Sequence, residues 1–170
     1  ETLKKIAARR LDAKVYSLSR STMSDIDAVI DTGLDSIHTF IATSELHMKY
    51  KLKMTPEQVK ERAVRTVEYA KDHGLKVQFS CEDATRSDLG FMKEVLTAVQ
   101  DAGADSINIP DTVGVITPRA MSYLISEIRK VVKVPIAVHC HNDMGLAVAN
   151  SRRPNWWSVS RVSPWPTISR

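Results

Sequence analysis

Two histidines one residue apart, His139 and His141, close the short apolar run Val134-Pro135-Ile136-Ala137-Val138. On an extended strand residues i and i+2 share a face. Both imidazoles therefore project together, and Cys140 faces away. That pattern offers two nitrogen ligands to one divalent ion. Imidazole suits Zn, Mn, Fe or Co, and added oxygen ligands favour Mn or Mg. The plain alternative is two polar residues at a strand end. Their place at a strand terminus in a chain of alternating strands and helices favours the metal.

Other residues able to do chemistry sit at similar places. Glu82-Asp83 follows Gln78-Phe79-Ser80-Cys81. A carboxylate there can act as a general base, orient a substrate or support a metal from behind its ligands. Against this stand helix capping and simple solvation, since Asp83 and Asp88 both precede helical stretches. Arg86 can pair with these acids or with a substrate carboxylate. Alternation gives Asn108, Pro110 and Thr112 one facing, although Asp111 and Thr112 before Gly114 are also ordinary turn residues. His38 either donates to a substrate oxygen or is a satisfied core histidine. Lys49, Lys51 and Lys53 read as a solvated loop, with no sequence support for a phosphate-bearing cofactor. The methionines read as packing.

These residues need a scaffold, and the sequence supplies one. Short apolar runs at 13–18, 36–41, 76–80, 106–109 and 135–139 are bounded by Gly, Pro or Asp, as buried parallel strands are. Helical periods separate them. Thr55-Pro56-Glu57-Gln58 joins an N-cap, a proline at the first helical position and a capping-box glutamine. Val59, Ala63, Val67 and Ala70 then recur at helical spacing up to Gly74. Helices are likewise expected over about 88–102, 117–130 and 24–32. Repeated strand–helix units imply a parallel sheet with outer helices, either doubly wound or a (β/α)₈ barrel. No glycine-rich phosphate loop follows a strand, which weakens a nucleotide-binding open sheet. Polar residues gathered where strands end favour the barrel. Five strands are visible, so the expected fold is a partial TIM barrel of about five of eight βα units.

The 170 residues are 43% hydrophobic and 26% charged, ordinary for one globular domain. No stretch approaches the roughly 18 apolar residues that span a bilayer. The chain opens at Glu1 without Met or a signal-peptide core, and is read as an internal piece of something longer. Two cysteines do not make a disulfide framework, so a reducing cytoplasm is the default. The net charge of +4 rests on Arg152, Arg153, Arg161 and Arg170, in a stretch with no acidic residue. It is therefore poor support for nucleic-acid binding. All three tryptophans and three of seven prolines also lie beyond residue 150. Residues 1–150 are read as a catalytic barrel piece. Residues 151–170 are read as an atypical tail, disordered or translated in a shifted frame.

Four stretches carry a family resemblance: HTFIATSELHMKYKLKM (38–54), FSCEDATRSDLGF (79–91), INIPDTVGVITP (107–118) and HCHNDMGLAVANS (139–151). In this order they resemble the 2-isopropylmalate synthases, within a group of metal-dependent carbon–carbon bond-forming and bond-breaking barrels. Homocitrate and citramalate synthases are near relatives. HTFIATS looks most like the isopropylmalate branch. The resemblance implies a divalent metal (Mn²⁺, Mg²⁺ or Zn²⁺) on His139 and His141, with Glu82 as acid/base or orienting residue. It implies that His38, Ser80, Asn108, Pro110 and Thr112 line a 2-oxo acid pocket. The implied reaction joins acetyl-CoA, as co-substrate, to 2-oxoisovalerate in leucine biosynthesis. The metal chelates the oxo acid, a base takes a methyl proton, the enolate adds to the ketone and the thioester is hydrolysed. A cytoplasmic homodimer is implied for the whole parent, acting on small molecules and not on membranes or nucleic acid. The group's first-strand Asp ligand with its catalytic Arg, and its eighth-strand Asn ligand, have no match here. The visible strands would then be the third to the seventh, and this chain an inactive fragment by itself. Other readings are a retro-aldol lyase on a similar barrel and a non-catalytic metal-binding remnant.

Overall fold

The structure is a computed structural model that describes residues 1–9 and 11–152. The expectation for a tail falls almost wholly outside the described residues. After a short helix α1 (Thr2–Ala7), five strands alternate with helices. They are β1 (Ser17–Arg20), β2 (Ser36–Ala42), β3 (Lys76–Glu82), β4 (Ser106–Asp111) and β5 (Ile136–Cys140). Every neighbouring pair is parallel, and the spatial order is the sequence order.

The intervening helices are α2 (Met23–Ile30), α3 (Glu45–His47), α4 (Pro56–Asp72), α5 (Leu89–Asp101) and α6 (Pro118–Ile128), and α7 (Ala147–Ser151) follows β5. The expected start of α4 is present as a complete capping box. Thr55 Oγ1 accepts from Gln58 N at 3.3 Å, and Thr55 N donates to Gln58 Oε1 at 2.9 Å. Asp88 caps α5 through Phe91 N, and Thr117 caps α6 through Ala120 N.

One apolar cluster lies between sheet and helices. It takes Ile37, Ile41, Val77, Phe79, Ile107, Ile109, Ile136 and Val138 from alternate strand positions. Onto them pack Ile26 of α2, Val67 of α4, Leu96 of α5 and Ile128 of α6. The helices thus cover one face of the sheet. A doubly wound sheet covers both faces and reverses its strand order at a switch point. Here the order never reverses, and the fold is part of a (β/α)₈ barrel wall.

Several boundaries differ from expectation. The first strand begins at Ser17, because its pairing with β2 starts at Ser17↔Ile37 and residues 13–16 precede any partner. Strands β3 and β4 run two residues past their apolar runs. There Thr43 N donates to Glu82 O, and His141 N donates to Asp111 O. The loop expected around the three lysines is instead helical. Ser44 caps α3 through His47 N, and Met48–Leu52 adds a π-helical turn that ends at Lys53 with φ +54°. Segments this short leave no periodicity to read.

Phe79 is fully buried at the centre of the cluster. Phe79→Ala should cost about 3–5 kcal/mol, and Thr55→Ala about 1 kcal/mol through the lost cap. Urea midpoints of the two variants measure both, and a comparable loss in each would contradict this account of the core.

Candidate active site

The face of the sheet turned away from the helices carries polar side chains, and they bond to one another. Ser80 Oγ shares a 2.6 Å hydrogen bond with His38 Nε2 and accepts a 2.8 Å bond from Asn108 Nδ2. One hydroxyl thereby links β2, β3 and β4. Below it Gln78 Nε2 donates to Ser106 Oγ. Ser80 and Asn108 are each only 3% exposed, so this bonding replaces lost water. His38 lies three residues into β2, inside the sheet rather than at its rim.

Pro110 pairs in register with His139. Ile107 N donates toward β5, to Pro135 O, so even-numbered residues of β4 turn their nitrogens toward β3. The β3–β4 pairing stops at Ser80↔Asn108. Proline's missing donor therefore falls where no ladder bond is due.

His139 and His141 stand side by side as expected, with ring centroids 4.8 Å apart and planes 16° from parallel. Cys140 faces the apolar cluster. His139 Nε2 is buried without a hydrogen-bond partner. Burial, then the charge of His141, pushes the His139 imidazole toward its neutral form. Burial, then the charge of His139, pushes His38 down to about 4. A neutral imidazole has the lone pair that a metal takes. The two-nitrogen donor set and the orphaned buried nitrogen both fit a divalent ion. Among the described residues no cluster of three His, Cys, Asp or Glu stands ready to hold one.

Glu82 closes β3, and Lys51 from the π-helical turn grips both its oxygens, at 2.6 and 2.9 Å. His47 Nδ1, buried and without a hydrogen-bond partner, lies 3.5 Å from Glu82 Oε1 and 3.8 Å from Asp83 Oδ2. Asp83 is fully buried at φ +64°. Its N–H donates to Thr112 Oγ1 at 2.9 Å, and Arg86 Nε donates to its Oδ1 at 2.8 Å. Burial works to raise the Asp83 carboxyl, but hydrogen bonds from Arg86 and Ser44 outweigh it and hold the group below the ordinary carboxylate range. The pairing of Arg86 with an acid is present; the helix-capping alternative for Asp83 is not, since its side chain makes no cap bond.

Asp111, fully buried, accepts from Thr85 Oγ1, Val115 N and Ile116 N, and so shapes the loop after β4. In that loop Gly114 has φ +66°, and a Cβ there would meet Asp143 Oδ2 at 2.3 Å. Asn150 of α7 holds the same loop by donating to Ile116 O.

The structure brings His38, Ser80 and Asn108 into one bonded set, with His38 and His139 close enough to influence each other. Pro110 stands beside His139. Thr112 is joined to the neighbouring set of Asp83, Glu82 and His47. Lys51 and His47 were missed as partners of Glu82. Nothing local marks them, because the contact spans 31 residues in the case of Lys51.

A family profile described as HMGL-like matches residues 1–155. The chain belongs to the HMGL-like family. Among relatives of this HMGL-like chain, the 2-isopropylmalate synthase of Methanocaldococcus jannaschii is 58% identical over 151 residues, which are 89% of this chain and 29% of the relative. The 2-isopropylmalate synthase of Sulfolobus acidocaldarius is 58% identical over 153 residues, 89% of this chain and 40% of the relative. The homocitrate synthase AksA of Methanothermobacter thermautotrophicus is 49% identical over 150 residues, 88% of this chain and 38% of the relative. The chain thus spans about a third of the length of these relatives. Hydroxymethylglutaryl-CoA lyase from Pseudomonas aeruginosa shares the fold, with a TM-score of 0.72 at 23% identity over 86% of this chain and 52% of that one. Among the described residues no helix is long and apolar enough to cross a membrane.

Two outcomes follow from this geometry. Gly114→Ala combines positive-φ strain with the clash at Asp143, and should lose about 1–3 kcal/mol. Adding Asp143→Ala should recover the steric part only, and full recovery would show that backbone strain is absent. For His38, the folded form binds its proton more weakly than the unfolded chain does. Stability should therefore fall as pH drops from about 6.5 toward 4, on the order of 3 kcal/mol across that window. Denaturation at pH 7 and pH 5 tests this, and His38→Gln should flatten the slope.

Proposed function

We propose that this chain is the oxo-acid-binding and metal-binding part of a 2-isopropylmalate synthase, which condenses acetyl-CoA with 2-oxoisovalerate in leucine biosynthesis. The observation that carries this reading is the stacked His139–His141 pair, opening on the same sheet face as the His38–Ser80–Asn108 set. The 58% identity to two 2-isopropylmalate synthases supports it. Residues 1–150 are the barrel piece. His139 and His141 would hold a divalent metal, which when bound polarises the oxo group of the substrate and stabilises the charge that develops there.

The chain's own groups take the remaining roles. Thr112 Oγ1 receives the Asp83 N–H and keeps its own proton to donate to a substrate carboxylate. Ser80, held from both sides by His38 and Asn108, presents a fixed hydroxyl. Pro110 offers apolar surface beside His139. Glu82 is positioned by Lys51 to take the methyl proton of the acetyl group on a carboxylate oxygen. A fixed carboxylate loses little orientational freedom at the moment of reaction.

Homocitrate synthesis is the second reading, since relatives of that name are 49–50% identical. Free CoA thiol released by an intact parent, offered 2-oxoisovalerate, 2-oxoglutarate or pyruvate in turn, separates these readings. The fastest release is expected with 2-oxoisovalerate; equal or faster release with another acid would replace the assignment. His141→Ala should weaken Mn²⁺ or Zn²⁺ binding by at least about 10-fold, and unchanged binding would remove the metal assignment. The 170-residue chain alone, with an open sheet and two ligands, should release CoA at less than roughly 10⁻² of the parental rate.

A further inference from the structure

A cavity lies outside the polar face, at the same end of the sheet as Glu82. It measures about 640 Å³ and is bounded by Ser21–Met23 after β1, Leu52–Met54 after the π-helical turn, and one flank of α4 from Gln58 to Thr66. That volume is ordinary for a small-molecule site.

Its charge is unbalanced. Lys53, Arg62 and Arg65 line it against the single carboxylate of Glu61. Elsewhere on the outer helices several cations are paired, among them Lys60 with Glu94, Lys71 with Asp105 and Lys93 with Glu127. Arg65 reaches Glu61 only at 3.8 Å. The Lys53 and Arg62 side chains make no hydrogen bond or ion pair among the described residues. Residues 58, 62 and 65 fall on one flank of α4, while Val59, Ala63 and Val67 face the core. Lys53 is also held at φ +54°, an uncommon conformation for a lysine, at the point where the chain enters the cavity wall. Met23, Leu52 and Met54 add apolar side chains to the same lining.

We propose that this cavity binds a phosphate-bearing organic anion, its phosphates met by Lys53, Arg62 and Arg65 and its uncharged part laid along Met23, Leu52 and Met54. Guanidinium groups match phosphate oxygens in pairs, and two cations without protein partners lose no ion pair when such a ligand binds. Two sources share this chemistry, the phosphorylated end of coenzyme A and a free phosphate ester. The coenzyme source rests on the proposed function, and one structural link supports it. Lys51, which grips Glu82, is two residues from Lys53, so the cavity and the proposed base share one short segment.

The test is calorimetric titration of the 170-residue chain at low salt with coenzyme A, inorganic pyrophosphate and pantetheine. Coenzyme A and pyrophosphate should bind, pantetheine should not, and affinity should fall with added salt. Lys53→Ala and Arg62→Ala should each weaken both phosphate-bearing probes by about 10-fold or more, a charge-assisted hydrogen bond each. Arg62→Lys should restore part of the loss. Both side chains are exposed, so unchanged melting curves should confirm that the variants fold. Binding of pyrophosphate but not coenzyme A keeps the anion site and removes its link to acyl-CoA. Binding of coenzyme A that neither variant weakens overturns the site and leaves the proposed function standing. Pantetheine binding as tightly as coenzyme A, or no binding of either phosphate probe, also overturns it.

Discussion

A parallel strand that pairs only with its neighbours in sequence gets its cover from its own crossover helices, and those helices reach one face. Everything else in this chain depends on that constraint. Most of the alternate strand residues that meet the helices in β2 to β5 are Ile, Val, Phe and Cys, and they form one continuous apolar cluster. The remaining strand residues cannot use that cluster and must satisfy one another. Ser80 does so for three strands at once, with His38 on one side and Asn108 on the other. A buried polar group without partners costs more than its hydrogen bond would have contributed. The inner face is therefore ordered as a set, and its members are pre-positioned before any ligand arrives.

The rim is built by a different device. Beyond the last ladder bonds the chain turns sharply at Asp83, in the left-handed region, and this turn is held by Thr112, just past the next strand, and by Arg86, three residues on. Asp111 performs the same service one strand along, ordering the loop in which Gly114 passes close to Asp143. The Asp111 carboxylate holds backbone and the Asp83 carboxylate holds Arg86, and this leaves Glu82, gripped from outside by Lys51, as the rim carboxylate at the end of β3. Two adjacent acids at one strand end thus differ in surroundings: Asp83 is fully buried in the turn, and Glu82 is held by Lys51 at the rim.

Much of this was readable in the sequence, for physical reasons that differ by element. The long helices announce themselves because α4 carries a proline start, a capping box and an apolar stripe, all within one stretch. The His139–His141 pair was readable because alternation on a strand is rigid. Strand ends were less so. Glu82 and Asp111 extend their strands through bonds from Thr43 and His141, which belong to other strands' rims. The α3 segment with its π-helical turn is too short to show a period, and the three lysines on it looked like solvated loop. Lys51 became a partner of Glu82, and Lys53 part of a cavity wall, only once the fold brought them there. The role of Asp83 was also hidden, since a buried aspartate in a turn and one capping a helix have the same local sequence.

The placement of the two imidazoles decides what kind of metal chemistry the barrel wall can support. His139 lies in β5 and His141 directly follows it, and among the described residues that strand is paired only on its β4 side. Neighbouring nitrogens from a single strand approach an ion from one side only. A structural metal is surrounded by four protein ligands, whereas a catalytic one keeps positions for water and substrate. If the proposed metal sits on His139 and His141, the partnerless Nε2 of His139 and the placement of Asn108, Ser80 and His38 on the same inner face would leave its remaining positions to whatever the inner face receives. On the proposed reading, the polar set would lie beside the bound oxo acid and not beneath a closed metal, so that one end of the sheet would hold the ion and the neighbouring strands would select the substrate.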